Sequence, residues 1–270
     1  MAEIDLDSYF ARVGYSGPKT ATLETLRALH VLHPTAITFE NIDPLMRRPV
    51  RLDLSTLTTK LVEEKRGGYC YEQNTLFAAV LRSLGFSVTT VAARAQHGAP
   101  SGVVRSRTHM VLRIDLPEGP HICDVGYGRL TLTAPLRFAP DIEQLTPHGP
   151  YRLVQIGDEF QLQAKLNDLY VPVYQFSTQE QLPVDWEVAN WFNSTHPEST
   201  FTKNLMVARP VEERRLALFN SNYRIYFSDG RTERRTLQTT EELASVLQND
   251  FKINLPDGWE PIFDQLLQRK

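Results

Sequence analysis

Two cysteines occur in this 270-residue chain, and only Cys70 stands where a thiolate would be favoured; the other is Cys123. Cys70 lies in Arg66-Gly67-Gly68-Tyr69-Cys70-Tyr71-Glu72-Gln73-Asn74. The paired glycines let the backbone take conformations closed to other residues, and an apolar-periodic helix begins one turn later. A cysteine at a helix N-terminus faces unpaired amide donors and the positive end of the macrodipole, both of which stabilise thiolate. The same amides can hold an oxyanion once the sulfur attacks a carbonyl. Against this stands the common fate of a free cysteine, a small buried hydrophobe, and the local sequence balances the two evenly. A nearby base would decide between them.

His109, in THMVLRID, and Asp124, in HICDVGYG, supply a candidate base and its orienting carboxylate. The intervening LPEG at 116–119 makes the two segments a hairpin. Side chains alternate along a strand, so Met110, Leu112 and Ile114 share one face and His109, Val111 and Arg113 the other. If paired residue numbers sum to an odd value, His109 and Asp124 fall on the same face. A sum of 233 sets them opposite each other and 235 sets them diagonal, both within reach. That register also gathers the apolar sets on the opposite face, which favours it. The imidazole would take the thiol proton, and the carboxylate would fix its tautomer and stabilise the cation that forms. A lone strand histidine is more often structural than catalytic. His30, His33, His97, His121 and His148 show no comparable partner pattern, and His196, in STHP, reads as a turn or packing residue. No CxxC pair occurs, and His121-x-Cys123 is not a usual zinc spacing. Two sparse cysteines are also a poor disulfide framework.

The elements that must carry these groups follow from periodicity. Asp5 to Val13 and Thr22 to Leu32 are helical, the second with Leu23, Leu26, Leu29 and Leu32. Ser55 is placed to cap a helix through Leu57, Leu61 and Val62 to about Glu64. The helix starting near Cys70 presents Leu76, Phe77, Val80, Leu81 and Leu84 on one face, and Gly85 stops it. From Phe86 to about Phe176 the pattern turns to short β-branched and aromatic runs: SVTTVAARA, THMVLRID, HICDVGYG, YRLVQIG, EFQLQAKL and LYVPVYQFS. After Trp186 comes WEVANWFNSTHP, then strands in NLMVARP, RRLALFN, YRIYFS and ERRTLQ. A helix capped by Thr239 or Thr240 and a last one in PIFDQLLQRK close the chain.

Composition sets the outer limits. Hydrophobic residues make up 41% and charged residues 23%, an ordinary globular balance. A net charge of -3 provides no basic field for nucleic acid or an anionic membrane. MAEIDLDSYFARVG lacks the blocks of a signal peptide, and no apolar run approaches the roughly 18 residues of a membrane span. A cytoplasmic protein is expected.

These motifs resemble the arylamine N-acetyltransferase family. Its R-G-G-x-C-x-E-x-N hallmark is present as Arg66, Gly67, Gly68, Cys70, Glu72 and Asn74. Its T-H-x-x-L element is Thr108, His109 and Leu112, and its D-V-G-[FY]-G element runs from Asp124 to Gly128. An upstream P-F-E-N appears with Thr38 in place of proline, before Phe39, Glu40 and Asn41. The resemblance spans essentially the whole chain. It implies an α+β fold of three parts: a helical bundle over 1–85, a β-barrel over 86–187 and an α/β lid over 188–270. It also implies a cysteine-protease-like Cys-His-Asp triad. The implied reaction moves an acetyl group from acetyl-CoA to an arylamine, hydrazine or N-hydroxyarylamine by a ping-pong route through acetyl-Cys70. Acetyl-CoA is then a co-substrate, and no metal is called for. Thr108, Gly126, Tyr127 and Gly128 match positions near the cofactor, with Gly126 and Gly128 letting backbone approach CoA. Phe39, Tyr127 and Phe201 match positions lining the acceptor pocket. Tyr127, where phenylalanine is commoner, suggests tolerance of a more polar acceptor. Glu40 and Arg66 read as a structural ion pair, and Arg105, Arg107 and Lys203 as solvated charges within range of CoA phosphates. A homodimer stays open. Papain-like and transglutaminase-like hydrolases share such triads, some relatives are macrolactam-forming amide synthases, and a non-catalytic binding protein would not need an intact triad.

Overall fold

The computed structural model describes residues 4–100 and 102–268; Met1 to Glu3 of the expected bundle over 1–85 and Arg269 and Lys270 of the last expected helix lie outside the described residues. The N-terminal segment holds α1 (Leu6–Val13), α2 (Leu23–Ala36), a short strand β1 (Phe39–Glu40), α3 (Ile42–Leu45), α4 (Leu54–Thr58) and α5 (Cys70–Ser83). Asp5 caps α1 by accepting from the amides of Asp7 and Ser8, and Gly14 ends it in the left-handed region at φ 75°. Thr22 caps α2. The cap of α4 is Asp53, which accepts the Thr56 amide, and not Ser55, which lies inside the helix. A carboxylate two residues earlier holds a negative charge against the dipole and displaces the serine from that role. A π-helical turn (Thr59–Glu63) continues α4 and turns Lys60 and Leu61 inward.

Gly67 and Gly68 have another reason than the one expected. Neither takes a positive φ. A Cβ at Gly67 would lie 2.1 Å from the Thr38 carbonyl, and one at Gly68 2.7 Å from Glu72 Oε2. The strand β1 runs against this loop, with the Gly68 amide donating to Thr38 O and the Glu40 amide to Gly68 O. Close backbone approach is what excludes side chains here.

Eight antiparallel strands follow: β2 (Ser87–Ala95), β3 (His109–Leu116), β4 (Gly119–Cys123), β5 (Leu136–Arg137), β6 (Gln144–Thr146), β7 (Gly149–Ile156), β8 (Glu159–Leu166) and β9 (Leu169–Glu180). They pair in the order β5-β4-β3-β2-β9-β8-β7-β6. The two edges of this near-closed barrel meet through one side chain. Gln144 accepts the Arg137 amide at 2.8 Å and donates to the Arg137 carbonyl at 2.9 Å, the two bonds a neighbouring strand would make. Leu153, Leu162, Val111 and Phe176 belong to the barrel core. Met110, Leu112 and Ile114 face the other way, onto α5 and the helical bundle. The expected alternation along β3 holds.

After the barrel come α6 (Pro183–Thr195), α7 (Thr200–Lys203), strands β10 (Met206–Val211), β11 (Arg214–Phe219), β12 (Asn222–Phe227) and β13 (Thr232–Thr236), then α8 (Thr240–Asn249) and α9 (Glu260–Gln268). Thr239 caps α8. The second sheet has the order β1-β10-β11-β12-β13, so its edge strand comes from the N-terminal segment. Its core also draws Ile42 and Leu45 from α3 against Leu243, Phe251 and Phe263. Arg215, buried on β11, donates to the carbonyls of Arg129 and Thr131 and to the Tyr151 hydroxyl, which ties this sheet to the barrel. The first and last parts of the chain thus interlock around β1. Fold class is α+β: helices, a near-closed barrel and a second sheet.

Candidate active site

Cys70 is the first residue of α5. The first main-chain bond of that helix is from the Gln73 amide to the Tyr69 carbonyl, at 3.0 Å, so the amides of residues 70–72 precede the intrahelical ladder. Glu72 accepts the Tyr69 amide at 3.0 Å and sets the entry of the chain into the helix. The Cys70 sulfur lies 3.9 Å from the Thr108 carbonyl, and Asn193 of α6 donates to that same carbonyl at 3.0 Å.

His109 opens β3. The hairpin register pairs Leu112 with Cys123 and Arg113 with Ile122, a sum of 235, which places Asp124 diagonal to His109 on one face. Asp124 lies one residue past the end of β4, rather than inside a strand running on through DVGYG. His109 Nε2 donates to Asp124 Oδ2 at 2.8 Å. The nitrogen left for the sulfur is therefore Nδ1. Burial by itself would strip the proton from this imidazole. The Asp124 charge and hydrogen bond, with a further contribution from adjacent Cys70, instead raise its pKa to about 10. Burial likewise opposes ionisation of Asp124, but His109, the Asn74 side chain and the Gly126 amide hold its pKa below the usual value. Asn74 Nδ2 donates to Asp124 Oδ1 at 3.0 Å and to the Met110 carbonyl at 2.9 Å, and its Oδ1 accepts the Val125 amide. All three candidate residues are buried, Asp124 completely.

Cys123 offers the contrast. It packs in the core behind the hairpin, and burial pushes its thiol well up, with the Asp124 charge adding to the effect. It is a packing residue.

A cleft of about 910 Å³ opens at Cys70 and His109. Phe39, Thr108, Gly126, Tyr127, Gly128 and Phe201 all line it. Two of them carry a different emphasis from the one expected. A Cβ on Gly126 would meet Cys70 Cα at 2.8 Å, so this glycine admits the nucleophile's own backbone. Tyr127 sends its hydroxyl to the Val173 carbonyl at 2.6 Å and turns only its ring to the cleft, edge-on to His109 at 5.0 Å. The extra oxygen braces the ring against β9 and leaves that part of the wall apolar. Thr38, where the resemblance leads one to expect proline, donates its hydroxyl to the Phe251 carbonyl and so joins β1 to the segment after α8.

Arg105 lines the cleft, whereas Arg107 pairs with Glu159 at 2.7 Å and Lys203 with Glu198 at 2.9 Å. Arg129 and Arg224 also line it and were not singled out from sequence. Arg129 donates to His97 Nε2 at 2.8 Å and stacks over Tyr226 at 4.7 Å. Their signal was faint, because Arg224 is one of many surface charges and Arg129 merely follows the glycine turn. His30 is the larger omission: its Nε2 accepts the Asp124 amide at 3.1 Å. A readable sign existed, since His30 and His33 share the buried face of α2 with Leu26 and Leu29. Among the described residues no group of three or more His, Cys, Asp or Glu side chains could hold a metal ion.

The Glu40–Arg66 pair is real and larger than expected. Arg66 lies 3.3 Å from Glu40 and 2.8 Å from Asp43; Lys60 reaches Asp43 at 2.7 Å and Glu72 at 2.6 Å. This buried cluster braces the loop that precedes Cys70.

A sulfur facing an imidazole that is held by a buried carboxylate, at a helix start and at the foot of a cleft, is the arrangement of enzymes that carry an acyl group on cysteine. Comparison with known proteins narrows the class. The profile of the N-acetyltransferase family matches residues 22–259. An arylamine N-acetyltransferase of Escherichia coli strain K12 is 39% identical over 254 residues, covering 94% of this chain and 90% of that protein. An arylamine N-acetyltransferase / N-hydroxyarylamine O-acetyltransferase of Salmonella typhimurium is 36% identical over 93% of this chain and 90% of its own length. The structure of the Mycobacterium marinum arylamine N-acetyltransferase in complex with CoA superimposes with a TM-score of 0.93 at 39% identity, covering 97% of this chain and 99% of that one. This chain belongs to the arylamine N-acetyltransferase family.

Proposed function

We propose that this protein transfers an acetyl group from acetyl-CoA to arylamines, hydrazines or N-hydroxyarylamines in two half-reactions, with Cys70 as nucleophile, His109 as base and acid, and Asp124 as the anchor of His109. The observation that carries the reading is His109: one nitrogen bonds Asp124 at 2.8 Å and the other faces Cys70 at the foot of the cleft. In the first half-reaction the sulfur, its proton held by His109, attacks the thioester carbonyl. The developing oxyanion falls beside the first-turn amides of α5. The tetrahedral adduct collapses, CoA leaves as its thiol with the proton from His109, and the acetyl group stays on sulfur. One thioester replaces another, so little free energy separates the two sides.

In the second half-reaction an amine attacks the acetyl-sulfur carbonyl, His109 takes the amine proton, and Cys70 leaves. Arylamines are largely neutral near pH 7, so the nitrogen lone pair is available. Burial of the triad limits attack by water on the acetyl-enzyme. The rings of Phe39, Tyr127 and Phe201 offer an apolar wall to a flat acceptor. Arg105, Arg129 and Arg224 supply positive charge at the cleft for an anionic donor such as CoA, with Thr108, Gly126 and Gly128 alongside. Every group comes from one chain, so the reaction needs no second subunit. No helix among the described residues is long and apolar enough to cross a membrane, in keeping with action in the cytoplasm.

Intact-protein mass spectrometry after mixing with acetyl-CoA alone tests the proposal. One acetyl group is expected, mapped to Cys70 and missing in Cys70→Ala. Label on Cys123 in place of Cys70 overturns the assignment.

A further inference from the structure

The peptide that carries Asp124 has left its sheet. Pro120 turns its carbonyl to β5, where it accepts the Phe138 amide, so by alternation the Asp124 amide faces that side, and the β4–β5 ladder has ended at Ile122 with Leu136. Three side chains from other places hold this stretch instead. Thr131 donates its hydroxyl to the Asp124 carbonyl at 2.9 Å, Asn74 Oδ1 accepts the Val125 amide at 3.1 Å, and His30 Nε2 accepts the Asp124 amide at 3.1 Å.

His30 is the unusual one. It is fully buried on the face of α2 that Leu26 and Leu29 also occupy, with its ring edge-on to Phe77 at 5.8 Å. To accept an N–H, Nε2 must be unprotonated, which puts the ring proton on Nδ1. Nδ1 finds no hydrogen-bond partner among the other described residues, only its own main chain nearby. A leucine at this point of the helix would bury the same face without the stranded Nδ1 but would strand the Asp124 amide instead, so the polar return of the imidazole lies only at Asp124. The ionisable groups around it are Asp124 and the buried imidazole of His33, beyond which lies Arg12. Burial outweighs the attraction of Asp124 and lowers the His30 pKa to about 3, and burial does the same to His33. Both rings are neutral at any working pH.

We propose that His30 is a positioning residue for the reaction: its Nε2 replaces the missing ladder acceptor and fixes the Asp124 peptide where the carboxylate can hold His109. The proposal rests on the triad reading above. A carboxylate that drifts cannot keep the imidazole aimed at sulfur, and small misplacements of such groups are costly in rate. Substitution of Asp124 itself would remove the charge; substitution of His30 leaves every triad side chain in place and loosens only their alignment.

The experiment compares the wild-type protein with His30→Leu, His30→Met and His30→Gln, the last of which keeps an acceptor near the Nε2 position. Iodoacetamide alkylation of Cys70, followed by peptide mass near pH 6 and near pH 9 with glutathione as reference, reads the sulfur–imidazole pair without acetyl-CoA. In the wild type, Cys70 should outpace glutathione near pH 6 by at least about tenfold. The Leu and Met variants should lose about tenfold near pH 6 and far less near pH 9, and Gln should recover most of that loss. Melting temperatures of Leu and Met should change little, since the Asp124 amide left without its acceptor offsets the removal of the unpaired Nδ1. Wild-type-like alkylation in Leu and Met, or equal damage in all three variants, overturns the positioning role. A wild type no faster than glutathione near pH 6 overturns the triad reading itself, so the two failures are distinct. Nitrogen-15 chemical shifts of the wild-type imidazoles give a check that needs no variant. His30 should be the neutral Nδ1–H tautomer near neutral pH, and the Nε2–H tautomer would end the proposal.

Discussion

On one side of the first turn of α5, Asn74 and His30 hold the ion pair of His109 and Asp124, and that assembly opens onto the cleft. On the other side, Glu40, Asp43, Lys60, Arg66 and Glu72 put five ionisable groups in contact, and none of them lines the cleft. Both are buried, and each includes a residue within four positions of Cys70, Asn74 in the first and Arg66 and Glu72 in the second. They differ in how their polar atoms are satisfied. In the first, neutral amide and imidazole groups aim one charge pair, leaving one edge of the imidazole for chemistry. In the second, charges answer one another, and what they hold in place is main chain: Glu72 takes the Tyr69 amide and Glu40 the Ile42 amide. The same residue types thus do either chemistry or bracing, according to whether a reactive atom is left over.

The comparison breaks most readily at Asp124. Asp124→Asn keeps the shape and the bond to the Gly126 amide but removes the charge that holds His109 protonated. Formation of acetyl-enzyme, followed by mass spectrometry over time, should slow by about three to four orders of magnitude, as in other triads. Undiminished acetylation would take Asp124 out of the mechanism. Lys60→Met should reverse the profile. It strands Asp43 and Glu72 beside a single remaining cation, and denaturant unfolding should show a loss of about 3–5 kcal/mol. Acetylation per folded molecule should fall far less than in Asp124→Asn. A Lys60 variant as stable as the wild type would mean the cluster does not brace the loop.

Much of the triad side was legible because its parts are local. The helix start at Cys70, the hairpin and its odd-sum register all follow from periodicity over fewer than ten residues, and the structure has each. Periodicity says which face a residue occupies and nothing about what that face meets. His30 reaches a partner 94 positions away, which no pattern within α2 encodes. Lys60 was hidden for another reason: it lies on a π-turn, where the helical phase shifts and a nominally exposed lysine turns inward. Gly67 and Gly68 were flagged for backbone freedom and Gly126 for approach to CoA, yet close approach by Thr38, Glu72 and Cys70 explains them. A glycine in a sequence reports a missing Cβ, and only the fold tells whether torsion or contact required it. The arginines at the cleft were illegible because a surface charge acquires meaning only from the concavity beside it.

The smallest expected difference between the two assemblies is in how they respond to pH, and its sign is opposite on the two sides. Three carboxylates face two cations in the bracing cluster, and burial of that excess raises Glu72 to about 7, even with Lys60 drawing it down. The native state then binds a proton that the unfolded chain releases above its ordinary value of 4.5. The stability gained from this group is complete below that value and declines as pH rises to about 7, by up to roughly 3 kcal/mol. Asp124 behaves in the reverse way. Burial opposes its charge, but His109 and its hydrogen bonds hold it below the ordinary 3.8, so its contribution is present above that value and is lost as pH falls through the lowered one. Urea unfolding between about pH 4.5 and pH 7, where Asp124 stays ionised, reads the Glu72 side. Relative to wild type, Glu72→Gln should gain stability steadily across this window, because it lacks the group that wild type must titrate. Asp124→Asn should lie furthest below wild type at the acid end and close part of that gap as pH rises toward 6.5, because its buried His109, no longer held charged, sheds on folding a proton that the unfolded chain keeps. Parallel curves for Glu72→Gln and wild type would place the proton of the bracing cluster on Glu40 or Asp43 instead, or show that all three carboxylates are ionised together.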